Sequence, residues 1–285
     1  METLSRGRKV LGWGIAQGFR WAGVRAAALR RYDRPGALLS LCAHDPSAAV
    51  LRALIRWLKA RGFRFVSEQA VLAGAQLPGR TAWLSFDDAW LGFRTQALPV
   101  LEAEDVPATL FVAPGESRRG FLWSNALMPC CSMKAIRAWY TRPAEARIQA
   151  VAAQVGTPPP KMLLAPEAIQ ALAAHPLITL GNHSLTHLSC SHRPLSEVVA
   201  EVQAAQAELT AWAGAAPRLF CYPFGHRTPE TDAAIRALGL RPIGLRPGVD
   251  TVETFGTFRN MIYDSASLAE NACRVLKAWL PIRRT

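Results

Sequence analysis

The chain has 285 residues, half of them hydrophobic and 19% charged, which excludes a disordered chain and leaves ample apolar material for a core. Its 33 Lys and Arg against 21 Asp and Glu give a formal charge of +12, a balance that favours an acidic partner such as a phospholipid surface, an anionic glycan or a phosphate-linked sugar. No apolar run reaches the ~18 residues of a membrane-spanning helix, and no Arg-and-aromatic motif of a nucleic-acid reader is present, so nucleic acid is not an expected partner.

In chain order, residues 1–36 read as a basic N-terminal helical segment. Arg6, Arg8 and Lys9 precede the apolar stretch 10–16 and faintly copy a signal peptide, but Arg20 and Arg25 interrupt soon afterwards. The segment has two readings: peripheral contact with an anionic membrane surface, or a basic cap on the domain. Residues 37–285 read as one domain. A buried strand over 37–43 ends at His44-Asp45, and Ser47 caps a helix with Val50, Leu51, Leu54, Ile55 and Leu58 at helical spacing, stopped by Gly62. A short strand over 63–66 follows, then a bulky run, Ala82-Trp83-Leu84-Ser85, that halts at Phe86-Asp87-Asp88-Ala89. The pattern predicts a helix over 91–104 and a strand over 108–112.

Between 114 and 165 the alternation weakens into an irregular insertion holding Trp123, Cys130-Cys131, a helix near 143–155 and Pro158-Pro159-Pro160. Pro166 opens a helix that feeds a strand over 177–181, and this strand runs into Asn182-His183-Ser184-Leu185-Thr186-His187. A clear helix spans 195–212. The strand expected over 218–222 enters Pro223-Phe224-Gly225, and Thr228 with Pro229 starts a helix that Gly239 ends. Last come strands over 243–245 and 258–263 and a closing helix bearing Leu268, Ala272, Val275, Leu276 and Trp279.

Short buried strands alternating with helices indicate an α/β fold with a parallel sheet or barrel. Chemistry in such folds collects at the carboxyl ends of strands, where His44, Asp87-Asp88, His183 and the Tyr222–Phe224 corner all fall. An isolated Asp-Asp pair is usually a solvated turn, and a lone HxxxH is more often surface or core than ligand. Both at strand ends point instead to a shared divalent-metal site. Adjacent carboxylates at the end of a buried strand need compensation, and two histidines four apart can turn both imidazoles to one point. One carboxylate and two imidazoles also leave coordination positions open. Six scattered cysteines without CxxC spacing read as free thiols in a reducing compartment.

These residues resemble the polysaccharide deacetylase family, also called NodB-homology or carbohydrate esterase 4. Phe86-Asp87-Asp88-Ala89 is similar to its F-D-D-G motif, His183-Ser184-Leu185-Thr186-His187 to its H-[ST]-x-x-H motif, and Phe220-Cys221-Tyr222-Pro223-Phe224-Gly225 to its third motif. The resemblance implies a distorted (β/α) barrel and a zinc-type hydrolase that removes acetyl groups from N-acetylated sugars. Asp88, His183 and His187 would bind the metal, and Asp87 would be the catalytic base. Three departures stand out. Ala89 replaces a glycine. Cys221 stands where many members carry the arginine that orients the base, while Tyr-Pro-Phe at this corner resembles the poly-N-acetylglucosamine deacetylase branch. No histidine follows His226, so the usual late acid is absent. The branch is similar in using an early strand-end histidine as the acid, here His44, with His226 as the rival and a structural role at the barrel rim as the bland alternative. Tyr222, Pro223, Phe224 and Trp123 are expected to contact the sugar.

The expected activity is therefore metal-dependent hydrolysis of an N-acyl group on an amino sugar in a glycan or glycan precursor. The basic N-terminus leans toward a lipid- or phosphate-linked substrate, and the free thiols toward a cytoplasmic location, with contact to the inner membrane as a peripheral variant. The alternative is a catalytically impaired, glycan-binding protein of the same fold. An iron oxygenase with two histidines and a carboxylate usually places one His and its carboxylate two residues apart, a spacing this site lacks.

Overall fold

The computed structural model describes residues 22–74, 77–155 and 159–276. Most of the basic N-terminal segment, Pro158 and Trp279 lie outside the described residues; of that segment the helix Ala22–Arg30 is seen. Among the described residues no helix is long and apolar enough to cross a membrane.

Nine strands follow one another in the described residues: β1 Ala37–Ala43, β2 Arg64–Phe65, β3 Thr81–Phe86, β4 Ala108–Val112, β5 Ile178–Asn182, β6 Leu219–Cys221, β7 Arg241–Ile243, β8 Asp250–Thr251 and β9 Asn260–Met261. They form one sheet in the order β7-β6-β5-β4-β3-β1-β8, with β2 also on β3 and β9 also on β1. Every pairing is parallel except that of β1 with β8. Beyond β7, Arg246 bridges Phe258, which leads into β9 and so back to β1. The sheet thus curls into the distorted (β/α) barrel that the alternation of short strands and helices implies.

Successive residues of a strand face opposite sides, and this period sorts the core. Leu38, Trp83, Phe111, Leu219, Cys221 and Ile243 point into the barrel. Their neighbours Leu39, Leu41, Leu84, Phe86, Leu110 and Val112 point out, toward the helices Ala48–Lys59 and Leu98–Glu104, whose Leu51, Leu54, Val100 and Leu101 share that cluster. Gly181 in β5 is required by close approach: an added Cβ would stand 2.4 Å from the Phe111 ring inside the barrel. The expected caps form, with Ser47 accepting from the Val50 N–H and Thr228 closing a capping box with Thr231.

Three local expectations change. The helix over 91–104 starts as a π-helical turn, Phe93–Ala97, before becoming Leu98–Glu104, where Pro99 interrupts the ladder because it has no N–H to donate. The insertion is ordered rather than irregular. Its helices Pro114–Arg119, Trp123–Leu127, Met133–Ala138 and Ala144–Val155 surround a small core of Trp123, Ile136, Tyr140 and Val151. The strand expected at 243–245 lies at Arg241–Ile243, and the two-residue β8 carries too little pattern to be read from sequence.

Candidate active site

The period of two continues past β3. Trp83 and Ser85 face inward, and so does Asp87, whose N–H donates to the Ala43 carbonyl (3.0 Å) and extends the β1–β3 ladder. Asp88 and Ala89 then both take left-handed backbone conformations (φ 74° and 55°), turning the chain across the barrel mouth. Strain of this kind costs on the order of 1–3 kcal/mol per non-glycine residue and persists where surroundings enforce it. Here the segment 162–164 that ends the insertion does so: Ala89 O accepts from the Leu164 N–H and Leu91 N–H donates to Met162 O, each at 2.8 Å.

His183 extends the β4–β5 ladder in the same way, its N–H donating to Val112 O (3.0 Å). Ser184 and His187 in the following loop also have left-handed backbones (φ 59° and 50°). The loop is tied locally by Asn182 Oδ1, which accepts from Ser184 N–H, and by Ser184 Oγ, which accepts from Leu188 N–H, both at 2.9 Å.

The two turns meet. Asp88 Oδ1 lies 3.3 Å from His183 Nε2 and 3.2 Å from His187 Nε2, all three side chains being buried. This carboxylate oxygen is itself buried without a hydrogen-bond donor, and it faces two ring nitrogens. His183 Nδ1 donates to the Cys221 carbonyl at 2.7 Å, which fixes the ring with Nε2 toward Asp88. One carboxylate oxygen and two imidazole nitrogens that face one another at this spacing are a donor set that fits a divalent cation. Burial would push the Asp88 carboxyl up, yet His187 and His183 hold it well below the usual carboxylate range. Burial would likewise depress His183, but Cys221, Asp88 and Asp87 around it reverse the direction. Asp87, His183 and Cys221 form a second possible ligand group, but a guanidinium already bonds the Asp87 carboxylate and the Cys221 sulfur.

That guanidinium is Arg259, fully buried just before β9. It grips Asp87 through two bonds, to Oδ1 (2.6 Å) and Oδ2 (2.7 Å), and also donates to Ser85 Oγ (3.1 Å) and Cys221 Sγ (2.8 Å). Burial alone would raise the Asp87 carboxyl; Arg259 and His183 outweigh it and the net direction is down. The sequence reading missed Arg259. The available signal was a single charge in the apolar run 258–263, since a buried arginine needs an acidic partner.

His44 stands at the end of β1 with Nε2 3.8 Å from Asp88 Oδ2, and 41% of its side chain is exposed. Trp90, half-buried, donates its indole N–H to the same oxygen at 3.3 Å. His226 lies one ring further out, beyond Phe224: its Nδ1 pairs with Ser189 Oγ (2.7 Å), and its ring meets Tyr140 edge-on and His192 at a tilt. Burial, with His192 beside it, lowers its pKa to about 4.

The expected sugar contacts do not gather at the mouth. Tyr222 alternates with Cys221 and so points outward, fully buried, with its hydroxyl donating to Asp232 Oδ1 (2.8 Å). Pro223 is buried. Trp123 is 0% exposed and presents no face to a ligand, its indole N–H instead directed at the His187 carbonyl (3.4 Å). Phe224 alone of the four is part-exposed, its ring centroid 4.5 Å from that of His187. Of the backbone N–H groups at this corner, that of Tyr222 donates to Ile243 O and Pro223 has none.

At the carboxyl ends of the barrel strands a carboxylate and two imidazoles thus converge, a donor set that could hold a metal ion. The chain belongs to the polysaccharide deacetylase family, whose profile matches residues 74–243, more than half its length. Similar solved structures include IcaB from Ammonifex degensii, with a TM-score of 0.62 and 23% identity over 85% of this chain and 98% of that one. The deacetylase PplD of Streptococcus pyogenes, solved with acetate, gives 0.61 and 17% over 87% and 100%. The deacetylase domain of BpsB from Bordetella bronchiseptica gives 0.58 and 19% over 80% and 96%. At these identities the likeness is one of fold. Comparison with curated protein sequences gave no match.

Proposed function

We propose that this protein is a metal-dependent deacetylase that removes an N-acetyl group from an amino sugar of a glycan or glycan precursor. The observation that carries the reading is the buried Arg259–Asp87 pair beside the Asp88, His183 and His187 cluster, an oriented anion next to a cation-shaped site. Asp88, His183 and His187 would hold the ion, zinc being the best match to a mixed nitrogen and oxygen donor set. When bound, such an ion supplies a Lewis acid for the amide carbonyl and lowers the pKa of water toward ~7.

The chain's own residues do the rest. Asp87, kept ionised and aimed by Arg259, accepts the proton of the attacking water. His44 is the histidine at the mouth that faces Asp88 and solvent, and it delivers a proton to the departing amine nitrogen. His226, committed to Ser189 and deprotonated near neutral pH, does not suit that role. Trp90 and Phe224, both part-exposed beside the ligand side chains, offer apolar ring faces to a sugar. The fold likeness to IcaB and the early position of His44 favour the poly-N-acetylglucosamine deacetylase branch. A binding-only protein is less favoured, because Arg259 bonds both Asp87 and Cys221 Sγ and so orients the base without an arginine at position 221.

The test is acetate release from a panel of N-acetylated amino sugars, free, polymeric and phosphate-linked, by zinc-loaded protein. Release from at least one class, lost in Asp87→Asn, is expected. No release from any of them would overturn the reading.

A further inference from the structure

The loop carrying His183 and His187 is gripped from outside by the insertion. Arg147, on the helix Ala144–Val155, is buried, and its guanidinium points at this loop. One terminal nitrogen donates to the carbonyls of Thr186 (3.3 Å) and His187 (3.2 Å), and the other to Thr186 Oγ1 (2.8 Å). From the opposite side Glu201, on the helix Leu195–Ala213, accepts the Thr186 N–H (2.8 Å) and hydroxyl (2.6 Å). Thr186 thus bridges two buried charges of opposite sign, each of which would be costly to bury alone.

The insertion adds a second hold. The Trp123 indole N–H is directed at the same His187 carbonyl (3.4 Å), and the Arg147 guanidinium lies 5.1 Å from the Trp123 ring. Trp123 is itself fixed by its backbone N–H, which donates to the buried Glu116 (3.0 Å). Two donors therefore converge on the carbonyl of a residue whose left-handed backbone (φ 50°) would relax without support. That conformation aims His187 Nε2 at Asp88.

We propose that Arg147 is a positioning residue for the cation site: it fixes the backbone of Thr186 and His187 from the insertion, so that affinity for a divalent ion depends on a helix that holds the loop by its carbonyls and Thr186. The inference rests on the reading of Asp88, His183 and His187 as cation ligands. It assigns the insertion a task at the site rather than a place in the core alone.

The experiment measures zinc affinity of the whole chain by competition with a chromophoric chelator, alongside melting temperature and circular dichroism. Arg147→Gln should bind zinc roughly 10–100-fold more weakly, the usual effect of losing a partner that orients a ligand. Arg147→Lys, which keeps the charge and reaches fewer acceptors, should fall between it and the parent. Activity of Arg147→Gln should return to within a few-fold of the parent when zinc is raised to saturation, with KM for sugar little changed. Arg118→Ala, in the same insertion but on an exposed pair with Glu208, should bind zinc as the parent does. If the parent binds zinc and both Arg147 variants bind it equally well, the proposal is overturned while the ligand reading stands. If the parent itself takes up no zinc, the ligand reading fails and the proposal with it. Should Arg147→Gln not fold, Arg147→Lys decides the matter, and unchanged affinity there overturns the proposal.

Discussion

Arg259 and Asp87, 172 positions apart in sequence, meet inside the barrel through a two-bond guanidinium–carboxylate pair at 2.6 and 2.7 Å. Such pairs are directional as well as strong, because the planar fork fixes the carboxylate in one plane. Asp87 therefore enters the site already oriented, with its charge compensated by the buried guanidinium.

Arg259→Ala should lower the turnover rate at least 100-fold and destabilise the fold by about 3–5 kcal/mol, the usual cost of leaving one partner of a buried pair. The double variant Arg259→Ala/Asp87→Ala should lose less stability than the sum of the single changes, since neither charge is then left alone. Denaturant unfolding of the four proteins checks this. Additive losses would mean the two side chains do not depend on each other.

Zinc content should separate ligands from base. Asp88→Ala, His183→Ala and His187→Ala should each purify with reduced zinc, whereas Asp87→Asn should keep its zinc and lose activity. Elemental analysis after dialysis distinguishes the two groups. A fully loaded His187→Ala protein would remove His187 from the ligand set.

His44→Ala should cost roughly 10²–10⁴ in rate with zinc retained, as for the loss of a general acid. A substrate with a better leaving group should be affected far less. His226→Ala should stay near the parent rate. The reverse pattern would move the acid to His226, against its bond to Ser189 and its depressed pKa.

The parts of the site that lie next to each other in sequence were legible. Asp87-Asp88 and His183–His187 sit where bulky runs end, and strand ends in parallel folds converge on one mouth. Arg259 was not legible as a partner because nothing local marks it: its meaning depends on a strand that closes the barrel 172 residues after Asp87. Tyr222 and Trp123 were read as sugar contacts because aromatic residues near a motif suggest a pocket. Alternation along β6 would have corrected the first, since inward Cys221 forces Tyr222 outward. Trp123 depends on the insertion packing on itself, which no periodicity announces.

Stability should also depend on pH through Glu68. This residue opens the helix Glu68–Leu72 and is buried, accepting the Thr109 hydroxyl (2.9 Å), whose oxygen in turn accepts from the Trp83 indole (3.1 Å). Burial raises its pKa to about 7, only partly offset by Thr109 and the charge of Arg218. With the folded value above the unfolded one, the contribution is complete below about pH 4.5 and is lost as pH climbs through 7. The parent should therefore lose up to about 3 kcal/mol between pH 5 and 8 relative to Glu68→Gln. Parallel pH profiles of unfolding free energy for the two proteins would rule Glu68 out.

The distance in sequence between Asp87 and Arg259 also orders events during synthesis. At 5–20 residues per second, Asp87 leaves the ribosome on the order of ten seconds before the arginine that neutralises it. A nascent chain can acquire the segments bearing Asp88, His183 and His187 in that interval, but the inward face of β3 still carries an uncompensated carboxylate. Docking of the last strand is thus the moment at which the barrel closes and Asp87 gains its partner. A chain stalled before residue 259 would carry Asp88, His183 and His187 with the Asp87 carboxylate still unpaired.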